Sequence, residues 1–183
     1  GMAMNGLIPV VEMQFDAFAL PAFEQVVSHV AKLGNRTRGD VRMPMVIRIP
    51  FGGGIGGVEH HCDSSEAYYA HTPGLTVVSP SNPQDAYSLL RAAIASPDPV
   101  IFMEPKKLYW SKGVVDTSNT ADLRRASVVR EGTDVTLISY GPSVTVALEA
   151  AEALAAEGRS AQVVDVRTLT PFDDQTVSDA VRG

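Results

Sequence analysis

PVIFM, residues 99–103, is five residues long and carries no polar side chain. A strand with one solvated face alternates apolar and polar residues, whereas a short continuous apolar run between turn residues fits a strand covered on both faces, as in a parallel sheet. Working outward from it, the chain alternates strand and helix. Upstream, Asn82 and Pro83 supply the cap and first position of a helix running to Ile94. LTVVS (75–79) and MVIRI (45–49) read as strands, and PVVEMQF (9–15) as a short one. LPAFEQVVSHVAKLG (20–34) sets Phe23, Val26, Val27, Val30 and Leu33 at helical spacing, with Pro21 in the first turn and Gly34 as the stop. Asp63, followed three residues later by Glu66, predicts a capping box for a short helix over SSEAYYAH (64–71). Downstream, Glu104 to Arg130 loses the pattern to charges, Ser, Thr and Asn. It returns as the strand DVTLISY (134–140), a helix over 142–158 stopped by Gly158, the strand AQVVDV (161–166) and the opening of another helix.

This order with short links predicts an α/β fold, a mainly parallel sheet flanked by helices, followed by the first part of a second α/β unit. The expected division is 1–110 for the first domain, 111–130 for a connector and 131–183 for a second domain too short to close a layer of its own. Both ends read as cut, with GMAMNGL starting as if in mid-helix and DDQTVSDAVRG stopping before a following strand.

Charge and composition narrow the function classes. A net charge of −6 and a pI near 5.1, with no local Lys/Arg cluster, disfavour nucleic acid as a partner. A single cysteine cannot form an internal disulfide, no apolar run reaches membrane-spanning length, and the N-terminus lacks the basic start of a signal peptide. The expected location is intracellular, cytoplasmic or, in a eukaryote, the mitochondrial matrix.

The chemistry concentrates in RIPFGGGIGGVEHHCDSSEAYYAH (48–71), with five glycines among residues 52–57, then His60, His61 and Cys62. Gly52, Gly54 and Gly57 match G-x-G-x-x-G after a strand, but VEHHCD stands where a helix should open. LTVVSP stands about 20 residues on, where a ribose-binding acid belongs. The nucleotide- or flavin-binding α/β module remains the alternative of another class. A zinc site from His60, His61 and Cys62 needs neighbouring side chains to converge and has no second cluster to draw on. Cys62 as a nucleophile lacks a partner in sequence. For the two histidines, a plain loop role and a catalytic one are both open at this level.

Three segments, VVEMQFDAFALPAFEQVVSHVAK (10–32), IPFGGGIGGVEHHCDSSEAYYAHTPGLTVVSPSNPQDAYSLLRAAI (49–94) and DPVIFMEPKKLYW (98–110), together resemble the beta subunit of the thiamine-diphosphate-dependent 2-oxoacid dehydrogenases, in their decarboxylating component. FMEPKKLY, with Pro105, is more similar to the branched-chain enzymes than to the pyruvate or acetoin ones. The resemblance implies a pyrimidine-binding domain followed by the start of a transketolase-type C-terminal domain. It implies His61 as the active-site histidine and Phe18 as the aromatic residue beside the cofactor's aminopyrimidine. It also implies a monovalent-cation (K+) site from backbone around Met45, Val46, Ala93, Ser96 and Asp98, with Ser96 where relatives often have aspartate. The glutamate that activates the cofactor would lie upstream of Gly1, and the motif that holds Mg2+ and the diphosphate would lie on an alpha subunit. The implied partners are that alpha subunit, in an alpha2-beta2 tetramer, and the lipoyl domain and core of a dihydrolipoyl acyltransferase.

Overall fold

A computed structural model describes residues 1–182. Its larger sheet places β4 (Val100–Pro105) near the centre, between β2 (Val46–Phe51) and β3 (Thr76–Val78), with β1 (Val10–Glu12) on the outer edge of β2. These four strands are parallel. The apolar run that opens β4 is buried as its composition requires. Ile101 and Met103 pack on one face with Ile47, Ile49, Phe51 and Tyr69, while Val100 and Phe102 pack on the other with Val46, Leu89 and Ala93. Leu89 and Ala93 belong to α4 (Pro83–Ala95), whose cap Asn82 accepts the Asp85 N–H at 2.9 Å. Ile101 is fully buried, so Ile101→Val is expected to cost about 1 kcal/mol, read as a lower urea midpoint at unchanged slope.

A second sheet has the order β5 (Ser127–Arg130), β7 (Ala161–Asp165), β6 (Val135–Ser139), with β6 and β7 parallel and β5 antiparallel to β7. Helix α5 (Ser143–Ala156) covers it through Val144 and Ala151, packed on Ala161 and Val163. The last helix is α6 (Asp174–Arg182). Among the described residues no helix is long and apolar enough to cross a membrane.

Four expectations are corrected. The helix over 20–34 is interrupted, as α1 (Leu20–Gln25), a π-helical turn Val26–Val30 and α2 (Leu33–Arg36). Gly34 lies inside α2 and is not its stop, which falls at Arg38 and Gly39 with φ of 54° and 90°. The capping box does not form. The short helix α3 (Glu66–Ala70) is preceded by Ser65, whose hydroxyl turns away to Asp16, while Asp63 contributes its carbonyl to the Gly52 N–H at 2.8 Å. Finally, Thr168–Thr170 forms β8, antiparallel to β3, inside the segment read as a helix opening. Three residues are too few to show a period.

β8 joins the second half of the chain to the first, and a buried polar network surrounds that joint. The Arg167 guanidinium donates to Asp85 Oδ1 (3.1 Å) and twice to the Arg125 carbonyl (2.8 and 3.1 Å). Asp165, fully buried, accepts from Ser81 Oγ (2.5 Å) and the Arg167 N–H (3.0 Å). Burial pushes the Asp165 carboxyl up from its ordinary 3.8 to about 6, against the pull of Ser81 and Arg167 and with the help of nearby Asp85. A raised carboxyl stabilises the fold most below its unfolded value, and that contribution fades as pH rises through the folded one. Between about pH 3 and about pH 7 the protein is therefore expected to lose roughly 3 kcal/mol of this contribution. Denaturant unfolding across that window, with Asp165→Asn as the variant that lacks the loss, checks it.

Candidate active site

The glycine loop follows β2 at the carboxyl edge of the parallel strands, the side where open α/β sheets place ligands. Gly54 has φ of 93°, and a Cβ there would come within 3.0 Å of the Lys107 side chain. Gly57 allows the chain to double back, since a Cβ there would meet His61 Cβ at 2.9 Å. No helix opens after Gly57. A 3₁₀ turn, Glu59–His61, presents the two histidines instead.

Four rings from two segments meet here. His61 stands edge-on to Phe15, with centroids 4.6 Å apart, and His60 stands edge-on to Phe18 at 5.5 Å. Phe15 and Phe18 are 6.3 Å apart and the two histidines 4.3 Å apart. His61 Nδ1 lies 3.2 Å from the Val58 carbonyl. A carbonyl can only accept, so Nδ1 carries the proton in the neutral ring and Nε2 keeps its lone pair for chemistry. Phe18 is 48% exposed, so it is no core residue, and its nearest histidine is His60 rather than His61. Leu20, Ile55 and Val58, in the same two segments, are exposed as well.

Under the rings lies a residue that sequence reasoning missed. Asp16, between the two phenylalanines, is fully buried and accepts both the Ser65 N–H, at 2.9 Å, and the Ser65 hydroxyl. Burial raises its pKa, and the two Ser65 bonds oppose that rise. The carboxylate thereby ties the segment before α1 to the end of the histidine turn. A single acid in the apolar run QFDAF was the available signal, because a charge there must be paired or exposed. Ser65→Ala removes one of the two donors and is expected to lower stability by about 1–2 kcal/mol, measured by thermal unfolding.

Cys62 Sγ donates to the Gly57 carbonyl at 3.1 Å and is partly buried. Among the described residues no group of three or more His, Cys, Asp or Glu is placed to hold a metal ion. The five residues expected around a monovalent cation fall near one end of α4. Val46 and Ala93 pack together in the core, and the carbonyls of Met45 and Ala93 accept the N–H groups of Val100 (3.0 Å) and Ser96 (3.2 Å). Ser96 Oγ donates to the Asp98 carbonyl at 2.9 Å, and both residues line a surface cavity of about 600 Å³ with Thr76 and Arg91.

Residues 1–111 match the family model for the transketolase pyrimidine-binding domain, and residues 124–183 match that for the transketolase C-terminal domain. The chain belongs to the transketolase family. Over its whole length this transketolase-family chain is 53% identical to the "Pyruvate dehydrogenase E1 component subunit beta" of Leifsonia xyli, of which it covers 54%. It is 51% identical to the "3-methyl-2-oxobutanoate dehydrogenase subunit beta" of Mycobacterium tuberculosis, of which it covers 53%. It spans about half the length of the curated relatives it matches. Among solved structures, a "Split gene transketolase, inactive beta4 tetramer" superimposes with a TM-score of 0.81 at 25% identity, covering 98% of this chain and 55% of that one.

Proposed function

We propose that the chain acts within the beta subunit of a 2-oxoacid dehydrogenase decarboxylating component, of the branched-chain type, with His61 as its proton carrier. The observation that carries this reading is the histidine's geometry: Nδ1 is held by Val58, Nε2 is free, and the ring stands edge-on to Phe15 in the cluster that also holds the exposed Phe18. An imidazole held in one tautomer on a turn suits repeated proton transfer.

The cofactor of this reading is thiamine diphosphate with Mg2+. When bound, it supplies the carbon nucleophile and the electron sink for loss of carbon dioxide. Phe18 would hold the pyrimidine end, and the diphosphate and Mg2+ would be held by an alpha subunit, in an alpha2-beta2 assembly. Asp16 and Ser65 keep the Phe18 segment against the histidine turn. His61 Nε2 holds or delivers a proton at the substrate's former carbonyl oxygen, and at the lipoyl sulfur of the acyltransferase during acyl transfer. A K+ ion would use the carbonyls of Met45, Val46 and Ala93 with Ser96 and Asp98, the two Oγ-linked residues of the turn that follows α4.

Pyruvate is the second substrate reading, because the relatives of 53% and 51% identity bear the two different substrate names. Pro105, which ends β4 ahead of the turn Lys106–Leu108, supports the branched-chain assignment through the FMEPKKLY likeness. The deciding measurement is kcat/KM of the assembled enzyme for 3-methyl-2-oxobutanoate against pyruvate, with thiamine diphosphate and Mg2+ present. A higher value for the branched substrate supports the assignment. A higher value for pyruvate selects the second reading, and turnover of neither removes both.

A further inference from the structure

Tyr140 and Gly141 form the corner at which the chain leaves the carboxyl end of β6 and turns into α5. The corner belongs to the second half of the chain, yet it lands on the carboxyl edge of the larger sheet. A Cβ at Gly141 would lie 2.9 Å from Ser79 Oγ and 3.7 Å from Phe51 Cζ, so this backbone packs directly on the residue after β3 and the last residue of β2. The Tyr140 hydroxyl reaches further and donates to Glu66 Oε1 at 2.8 Å. Burial, and then Glu66 itself, push that hydroxyl up to about 12, so it keeps its proton to donate.

Phe51 and Glu66 flank the loop that bears the histidines. Phe51 precedes Gly52, and Glu66 follows Ser65 as the first residue of α3. Between them the loop is closed at its base by the Gly52 N–H, which donates to the Asp63 carbonyl at 2.8 Å, and by the Ser65 N–H, which donates to Asp16 at 2.9 Å. The corner of the second half therefore faces both stems of the loop at once. Glu66 Oε2 is buried without a partner among the described residues, so the Tyr140 hydroxyl supplies the carboxyl's one side-chain hydrogen bond there. Removing that donor leaves the carboxyl unpaired, and the segment that carries it gains by moving out to water.

We propose that Tyr140 is a positioning residue for the histidine turn, fastening the turn's downstream stem to the second half of the chain through the hydrogen bond to Glu66. Two ties on adjacent residues then hold that stem, Asp16 on Ser65 and Tyr140 on Glu66. A tyrosine that only fills volume can lose its hydroxyl with no effect on the turn, since phenylalanine keeps the ring. A tyrosine that acts through its hydroxyl cannot. What a loosened turn does to turnover rests on the function proposed above, whereas the tie itself does not.

The test is amide hydrogen exchange of the full-length protein, read by mass spectrometry in peptides covering 58–65, with peptides from β6 and β7 as the internal reference. Tyr140→Phe is expected to speed exchange of 58–65 about tenfold or more while β6 and β7 stay near the parent's rates. Glu66→Ala should reproduce this, and Glu66→Gln, which keeps an acceptor, should stay near the parent. Tyr140→Phe introduced into Glu66→Ala should add nothing, because the two changes break one bond. In the assembled enzyme Tyr140→Phe is expected to lower kcat about tenfold with KM little changed. Unchanged exchange of 58–65 in Tyr140→Phe overturns the proposal whatever the turnover, and so does equal acceleration in β6 and β7, which marks a general loss of stability. Further acceleration in the double variant overturns it as well. Faster exchange with unchanged kcat upholds the positioning role and removes the catalytic role of His61 instead. Should Tyr140→Phe fail to fold, the two Glu66 variants decide: faster exchange of 58–65 in the alanine variant alone upholds the tie, and no difference between them overturns it.

Discussion

Arg167→Met is expected to lower the free energy of unfolding by about 3–5 kcal/mol, the loss typical when one member of a buried ion pair is removed and the other is stranded. The guanidinium spans Asp85 on α4, the Arg125 carbonyl ahead of β5 and, at 3.5 Å, the Ala126 carbonyl. Methionine fills part of that volume and satisfies none of these acceptors. Asp85 keeps only its bonds with Asn82, inside a joint that also holds the buried Asp165. The pair is mostly shielded from solvent, so added salt should reproduce little of the effect. Arg167→Lys retains the charge but loses the fork that reaches carboxylate and carbonyl together, and should recover only part of the loss. Denaturant unfolding followed by circular dichroism and by Trp110 fluorescence checks both variants. A loss below 1 kcal/mol for the methionine variant would show that β8 docks by backbone pairing alone.

His61→Ala is expected to reduce turnover of the assembled enzyme by about 10²–10⁴-fold, the range associated with losing a positioned acid–base group. The ring is half-buried in a turn and held by one hydrogen bond to Val58, so the fold should tolerate its removal. His61→Gln can still donate to the Val58 carbonyl but cannot carry a proton near neutral pH, and it should be as inactive as the alanine variant. His60→Ala removes the ring that faces Phe18 and should act mainly on cofactor affinity, leaving most of kcat intact. Steady-state turnover with a free lipoyl domain across pH separates these results. Unchanged turnover in His61→Ala would end the role assigned to it.

The two histidines show how far reading by residue type extends. Their adjacency argued against joint metal binding, and VEHHCD after Gly57 argued against a helix opening there, both from local geometry. Which histidine could act was not legible from local pattern, because it depends on Val58 holding one ring nitrogen and Phe15 and Phe18 sorting the two rings. That Phe18 lies outside the core was likewise settled only by its exposure in the folded chain. Asp16 escaped notice because its significance comes from a partner 49 residues away, in the Asp16–Ser65 bond.

The sequence by itself determined the alternation of strand and helix, the burial of 99–103 on both faces, the loop that bears the histidines and the family. All of these follow from short-range period, turn chemistry and motif, which neighbouring residues encode. Only the tertiary structure decided the break in the helix over 20–34, the strand hidden at Thr168–Thr170, the Arg167 joint and the Asp16–Ser65 tie beneath the rings. Each of these is stabilised by contacts between residues far apart in the chain. A residue's own neighbours carry no record of a partner that folding alone brings near.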